Sequence, residues 1–102
     1  VRQSVIGLMD AAVDAPVLNR IREIISANAE GALEAHDIRT RQAGKMVFID
    51  FHLVVPGAMS VETAHGICDV IEAKLREAVE NAQVTIHVEP ENKAKHSGIV
   101  VV

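Results

Sequence analysis

Hydrophobic and polar positions alternate most cleanly over Val84-Thr85-Ile86-His87-Val88-Glu89, a β-strand ended by Pro90, which has no N–H for a sheet ladder. The alternation puts Val84, Ile86 and Val88 on one face, and Thr85, His87 and Glu89 on the other. Met46 to Val55 follows the same period. Val47, Ile49, Phe51, Leu53 and Val55 share a core face, while Phe48, Asp50, His52 and Val54 point away from it. Leu33 to Arg41 is also strand-like, but it alternates less regularly and leaves the direction of His36 open. Gln42-Ala43-Gly44-Lys45 reads as the turn joining these two strands into a hairpin.

Two stretches carry the helical period instead. Asp14-Ala15-Pro16 supplies a capping residue and a first-turn proline, and Val17, Leu18, Ile21, Ile24, Ile25 and Asn28 then recur on one face until Gly31. Ser60 caps the second helix, Glu62 suits the positive end of its dipole, and Val61, Ala64, Cys68, Ile71, Leu75 and Ala78 form an apolar stripe to about Val79. The predicted order is helix, strand, strand, helix, strand. It implies an α+β two-layer sandwich, a three-stranded sheet with two helices on one face. The other face is left bare, and a second copy of the chain is the simplest cover for it. Residues 91–102 form a tail, polar from Glu91 to Ser97 and apolar from Gly98 to Val102, with no evident role.

At 102 residues, the chain suits one small domain with a single core. Trp and Tyr are absent and Phe48 and Phe51 are the two aromatics, so the core is aliphatic and base-stacking platforms are excluded. A net charge of −4 without a basic run argues against nucleic acid and anionic membrane surfaces as partners. The single cysteine, Cys68, excludes an internal disulfide, suits a reducing compartment and falls in the core stripe. No apolar run approaches the roughly 20 residues needed to span a bilayer, and no signal peptide is evident. The first residue is Val1 rather than Met, as expected of a piece of a longer protein.

The candidate chemistry lies in the five histidines: His36, His52, His65, His87 and His96. His52, His87 and Glu89 share the face turned away from the core, and neutral imidazoles with a carboxylate suit Zn²⁺. The same set accepts Cd²⁺, Ni²⁺, Co²⁺ or Mn²⁺. Each histidine also has a plainer reading, on a strand surface for His36 and His52, or paired with Asp69 on the helix flank for His65. His96, in the tail, is at most an extra ligand. No nucleophile elbow, helical zinc-protease signature or phosphate loop occurs, so the chain is not expected to be an enzyme and has no catalytic residues.

Taken in order, Ala35-His36-Asp37-Ile38-Arg39-Thr40-Arg41-Gln42-Ala43-Gly44, Ile49-Asp50-Phe51-His52-Leu53, Val61-Glu62-Thr63-Ala64-His65 and Ile86-His87-Val88-Glu89-Pro90 resemble one family. It is the C-terminal cytoplasmic domain of cation diffusion facilitator transporters, which export zinc, iron and manganese. The resemblance covers essentially the whole chain, including Leu8-Met9-Asp10, which is similar to the junction after the last transmembrane helix. It implies a metallochaperone-like, ferredoxin-like αββαβ domain over residues 15–90, a junction over 1–14 and a tail over 91–102. It also implies a homodimer on the cytoplasmic side of the cell membrane, attached to a transmembrane domain that holds the transport site. Zn²⁺ would bind at or near the dimer interface, with His36, His52, His65, His87 and Glu89 as ligands. Relatives often have Asp where this chain has Glu89. The role implied is regulatory: metal closes the dimer, and the motion passes to the membrane through residues 1–14. The alternatives are a metal-independent dimerisation module and a small-molecule regulatory domain, for which no glycine-rich ligand loop is present.

Overall fold

The computed structural model describes residues 13–101, in the order α1 (Ala15–Asn28), β1 (Glu34–Ala43), β2 (Met46–Val55), α2 (Val61–Ala78), β3 (Ala82–Pro90), a 3-10 turn over Glu91–Lys93, and β4 (Ile99–Val100). Leu8-Met9-Asp10 and most of the expected junction lie outside the described residues, as does Val102.

The sheet is mixed and has four strands in the order β3-β2-β1-β4, not the three expected. β1 and β2 form the antiparallel hairpin, with Ala43 opposite Met46, so the turn is Gly44-Lys45 alone. Gln42 and Ala43, expected in the turn, still pair. Gly44 adopts φ 61°, the left-handed conformation that glycine accepts at the first position of a two-residue turn. β3 lies parallel to β2. Parallel neighbours need a crossover, and α2 supplies it. β4 pairs antiparallel with β1 through Glu34–Val100 and Ala35–Ile99. Two residues are too few to carry a periodicity, which is why the tail gave no sign of a strand.

The core lies between the sheet and the two helices. Ile21, Ile24 and Ile25 of α1 and Ala64, Cys68, Ile71 and Leu75 of α2 meet Val47, Ile49, Phe51, Leu53 and Val55 of β2. The stripe expected on α2 is buried through its middle only. Val61 is 80% exposed, and Ala78 is exposed as well. Ser60 caps α2 as expected, its hydroxyl accepting the Thr63 N–H at 3.0 Å. Asp14 holds the N-cap position of α1, but its side chain makes no capping hydrogen bond.

Irregularity in β1 has a specific cause. His36 lies opposite His52, yet Arg39 lies opposite Asp50, so β1 carries one extra residue there. This is a β-bulge, and Asp37 within it takes φ 54°. An extra residue shifts the side-chain alternation by one, so Glu34 and His36 face away from the helices before the bulge. Ile38, the other residue of the bulge, packs against the core.

That outer face is bare only in part. The tail crosses it and leaves Glu34 and His36 each 2% exposed. Gly98 packs on the β1 backbone so closely that a Cβ there would meet the Ala35 carbonyl oxygen at 2.5 Å.

Candidate metal centre

The strand registers place His36 of β1 opposite His52 of β2, and His52 beside His87 of β3. Three imidazoles therefore stand in one row across the outer face of the sheet. The ring centroids of His36 and His52 are 5.5 Å apart, and those of His52 and His87 are 4.9 Å apart. Glu89, two residues beyond His87 on the same face of β3, reaches back between the first two. Its Oε1 is 3.3 Å from His36 Nε2 and its Oε2 is 2.5 Å from His52 Nδ1. Among the described residues, His36, His52 and Glu89 form a group whose donor atoms all lie within 4.8 Å of one another. Ligands of a tetrahedral ion bound at roughly 2.0–2.2 Å are about 3.3–3.6 Å apart, so small side-chain shifts bring this group to that spacing.

The state of His36 sharpens the point. Its Nδ1 lies 2.6 Å from Glu34 Oε2, a contact that calls for a proton on Nδ1. Neutral imidazole then carries a lone pair on Nε2. Nε2 is buried without a hydrogen-bond partner, although it faces the Glu89 carboxylate. A lone pair turned toward a carboxylate oxygen, with no water access, is unfavourable unless a proton or a metal cation lies between them. Imidazole nitrogens and a carboxylate oxygen are the donor types that borderline divalent metals take. The residues present fit such an ion.

Glu34 is held from three sides. Besides His36, it accepts the Lys95 N–H on Oε2 at 2.8 Å and the His96 N–H on Oε1 at 2.7 Å. Burial works to raise its pKa, but the hydrogen bonds from His36 and from the backbone outweigh burial and hold the carboxyl below its ordinary value. Asp37, at the bulge, is also lowered, first by its hydrogen bond from Lys95 Nζ at 2.9 Å. Cys68 lies in the core, where burial and the nearby Asp69 and Glu72 push its thiol pKa up.

Of the five expected ligands, the structure brings His36, His52 and Glu89 together. His87 flanks His52 with its side chain exposed, and His65 stands exposed on α2, outside the close group. His96 joins the site through its backbone N–H. Glu34 was not anticipated. Its signal was the one that links His87 to Glu89: two positions apart on a strand, hence one face.

Comparison with known proteins gives a consistent set of relatives. Residues 13–91 match the family described as "Cation efflux protein, cytoplasmic domain". The chain is 41% identical over 88 residues to the cation-efflux pump FieF of Shewanella oneidensis, covering 86% of this chain and 29% of that protein. Metal tolerance protein C1 of Arabidopsis thaliana is 35% identical over 89 residues, covering 86% of this chain and 19% of that protein. The chain thus spans less than a third of these relatives, whose names mark them as transport or metal-tolerance proteins. Among solved structures, the zinc form of the transporter CzrB superposes with a TM-score of 0.77 at 45% identity, covering 85% of this chain and 99% of that one. The metal-bound C-terminal domain of the CzcD transporter from Thermotoga maritima gives 0.66 at 28% identity, covering 81% and 100%.

Proposed function

The chain belongs to the family of cation efflux protein cytoplasmic domains, and from that premise we propose that it is the metal-sensing, dimer-forming part of a divalent-cation exporter, with Zn²⁺ as the ion it senses. The observation that carries this reading is the orphaned His36 Nε2, turned toward Glu89 beside His52. His36, His52 and Glu89 hold the ion and His87 lies next to it on the row, while His65, on α2 across the sheet from this cluster, reaches an ion only from the second copy. Glu89 offers one oxygen to each of two histidines, which suits either a single ion or a bridge between two. A bound cation supplies the positive charge that the site's carboxylates otherwise lack.

The partners follow from the same reading. A second copy covers the exposed part of the outer face, and the remainder of the transporter, on the cytoplasmic side of the cell membrane, receives the motion. Among the described residues, no helix is long and apolar enough to cross a membrane, so the transport path belongs to that remainder. Metal acts by its preference for the closed arrangement of the two domains, and it shifts the equilibrium by no more than that preference.

Calorimetric titration of Zn²⁺ into the metal-free chain, beside the His52→Ala/His87→Ala double variant, tests the reading. Saturable binding that the variant loses is the expected result. If the unmodified chain shows no binding above background, the domain is a metal-independent dimerisation module instead.

A further inference from the structure

We propose that Glu34 makes the C-terminal segment 94–98 a working part of the metal site, so that docking of the tail and binding of the ion strengthen each other. The proposal rests on the metal-binding reading above and concerns a residue and a segment that the reading does not use.

One carboxylate has two occupations. Through Oε2 it contacts His36 Nδ1 at 2.6 Å, which keeps the proton on Nδ1 and leaves Nε2 free to bind an ion. Carboxylates in this position also raise the basicity of the ligand nitrogen and fix the ring plane. Through both oxygens, Glu34 accepts the backbone N–H groups of Lys95 and His96. Charge-assisted bonds of this kind are about twice as strong as neutral ones. The tail in turn holds Glu34 in place and excludes water from it. His96 and Gly98 adopt φ 55° and 69°, turning the chain so that Gly98 rests on Ala35 and His36. The Lys95–Asp37 ion pair and the β4–β1 pairing secure both ends of this strap.

The coupling is a matter of linkage. An ion on His36 draws electron density from the imidazole, and so strengthens the Nδ1–H bond to Glu34. A Glu34 held rigidly between ring and tail is also a better anchor for both. Whatever factor the docked tail adds to metal affinity, the metal adds to tail docking.

The test uses the full 102-residue chain, with Zn²⁺ as the probe. Zn²⁺ affinity is measured by competition with a chelator for the unmodified chain and for Glu34→Gln, which keeps the shape but not the charge. The expected loss is about 10–100-fold, the usual effect of removing a partner from a metal-bound histidine. Nitrogen NMR of the His36 ring reads its tautomer directly: a single Nδ1–H form in the unmodified chain, and a mixture in Glu34→Gln. Amide exchange at Lys95 and His96 should slow when Zn²⁺ is added to the unmodified chain and be fast in the variant.

If Glu34→Gln does not fold, Lys95→Pro decides, because proline has no N–H to donate to Glu34 and so loosens the tail while leaving Glu34, His36 and Glu89 unchanged. Weaker Zn²⁺ binding with fast His96 exchange supports the coupling. Tight Zn²⁺ binding that is equal in the variant, or tail exchange indifferent to Zn²⁺, overturns the proposal while the metal site stands. No Zn²⁺ binding by the unmodified chain overturns both.

Discussion

Glu89 joins two strands at the site, since its separate oxygens face a histidine of β1 and a histidine of β2. Replacing it with Ala should lower Zn²⁺ affinity by at least the roughly tenfold that loss of a mere supporting residue causes. A chelator competition titration reads the change, and an unchanged affinity would remove Glu89 from the ligand set. Cys68 gives the opposite kind of prediction. Its raised pKa keeps the thiol neutral at pH 7–8, and the thiolate is the reactive form. Iodoacetamide should therefore leave Cys68 unlabelled in the folded chain and alkylate it once denaturant is added; rapid labelling without denaturant would contradict its core placement. At this scale the sequence was partly readable. Strict alternation on β2 and β3 fixed where His52, His87 and Glu89 point. His36 and Glu34 could not be placed by the same rule, because a one-residue bulge downstream reverses the pattern, and nothing in Asp37-Ile38 announces it.

Elements reveal which local signals tertiary packing keeps. Ser60 caps α2 by accepting the Thr63 N–H, so Ser60→Ala should destabilise the domain by about 1 kcal/mol in a denaturant melt, and no loss would mean the cap is dispensable. Phe51 on β2 is fully buried among the helices. Phe51→Ala should cost about 3–5 kcal/mol, a large share of the roughly 5–15 kcal/mol by which such domains are stable. A loss below about 1 kcal/mol would show that the core closes over the gap. Both helices, β2 and β3 follow from sustained periods of 3.6 and 2, whereas β1 is strand-like with its alternation broken by the bulge. β4 follows from neither. It is two residues held by pairing with β1, and the polar tail before it is ordered by long-range bonds to Glu34 and Asp37, more than fifty positions earlier in the chain.

Viewed whole, the molecule separates two tasks by face. Helices and core residues on one side give stability, and the opposite side of the same sheet gathers histidines and carboxylates with the tail folded across one end. Such a division leaves the β3 side of the outer face exposed, His87 included, and it is there that a second copy would find room. If metal closes the dimer, small-angle scattering of the chain should show a smaller radius of gyration with Zn²⁺ than without, and an identical profile would separate metal binding from closure. The central claim is narrower than that: the cluster on the outer face binds the ion through nitrogen and oxygen. X-ray absorption at the zinc edge of the chain loaded with equimolar Zn²⁺ tests it most directly. The account predicts a first shell of imidazole nitrogens and carboxylate oxygen at about 2.0–2.2 Å, lost in the His52→Ala/His87→Ala variant. A sulfur shell near about 2.3 Å, or a spectrum unchanged in that variant, would contradict it.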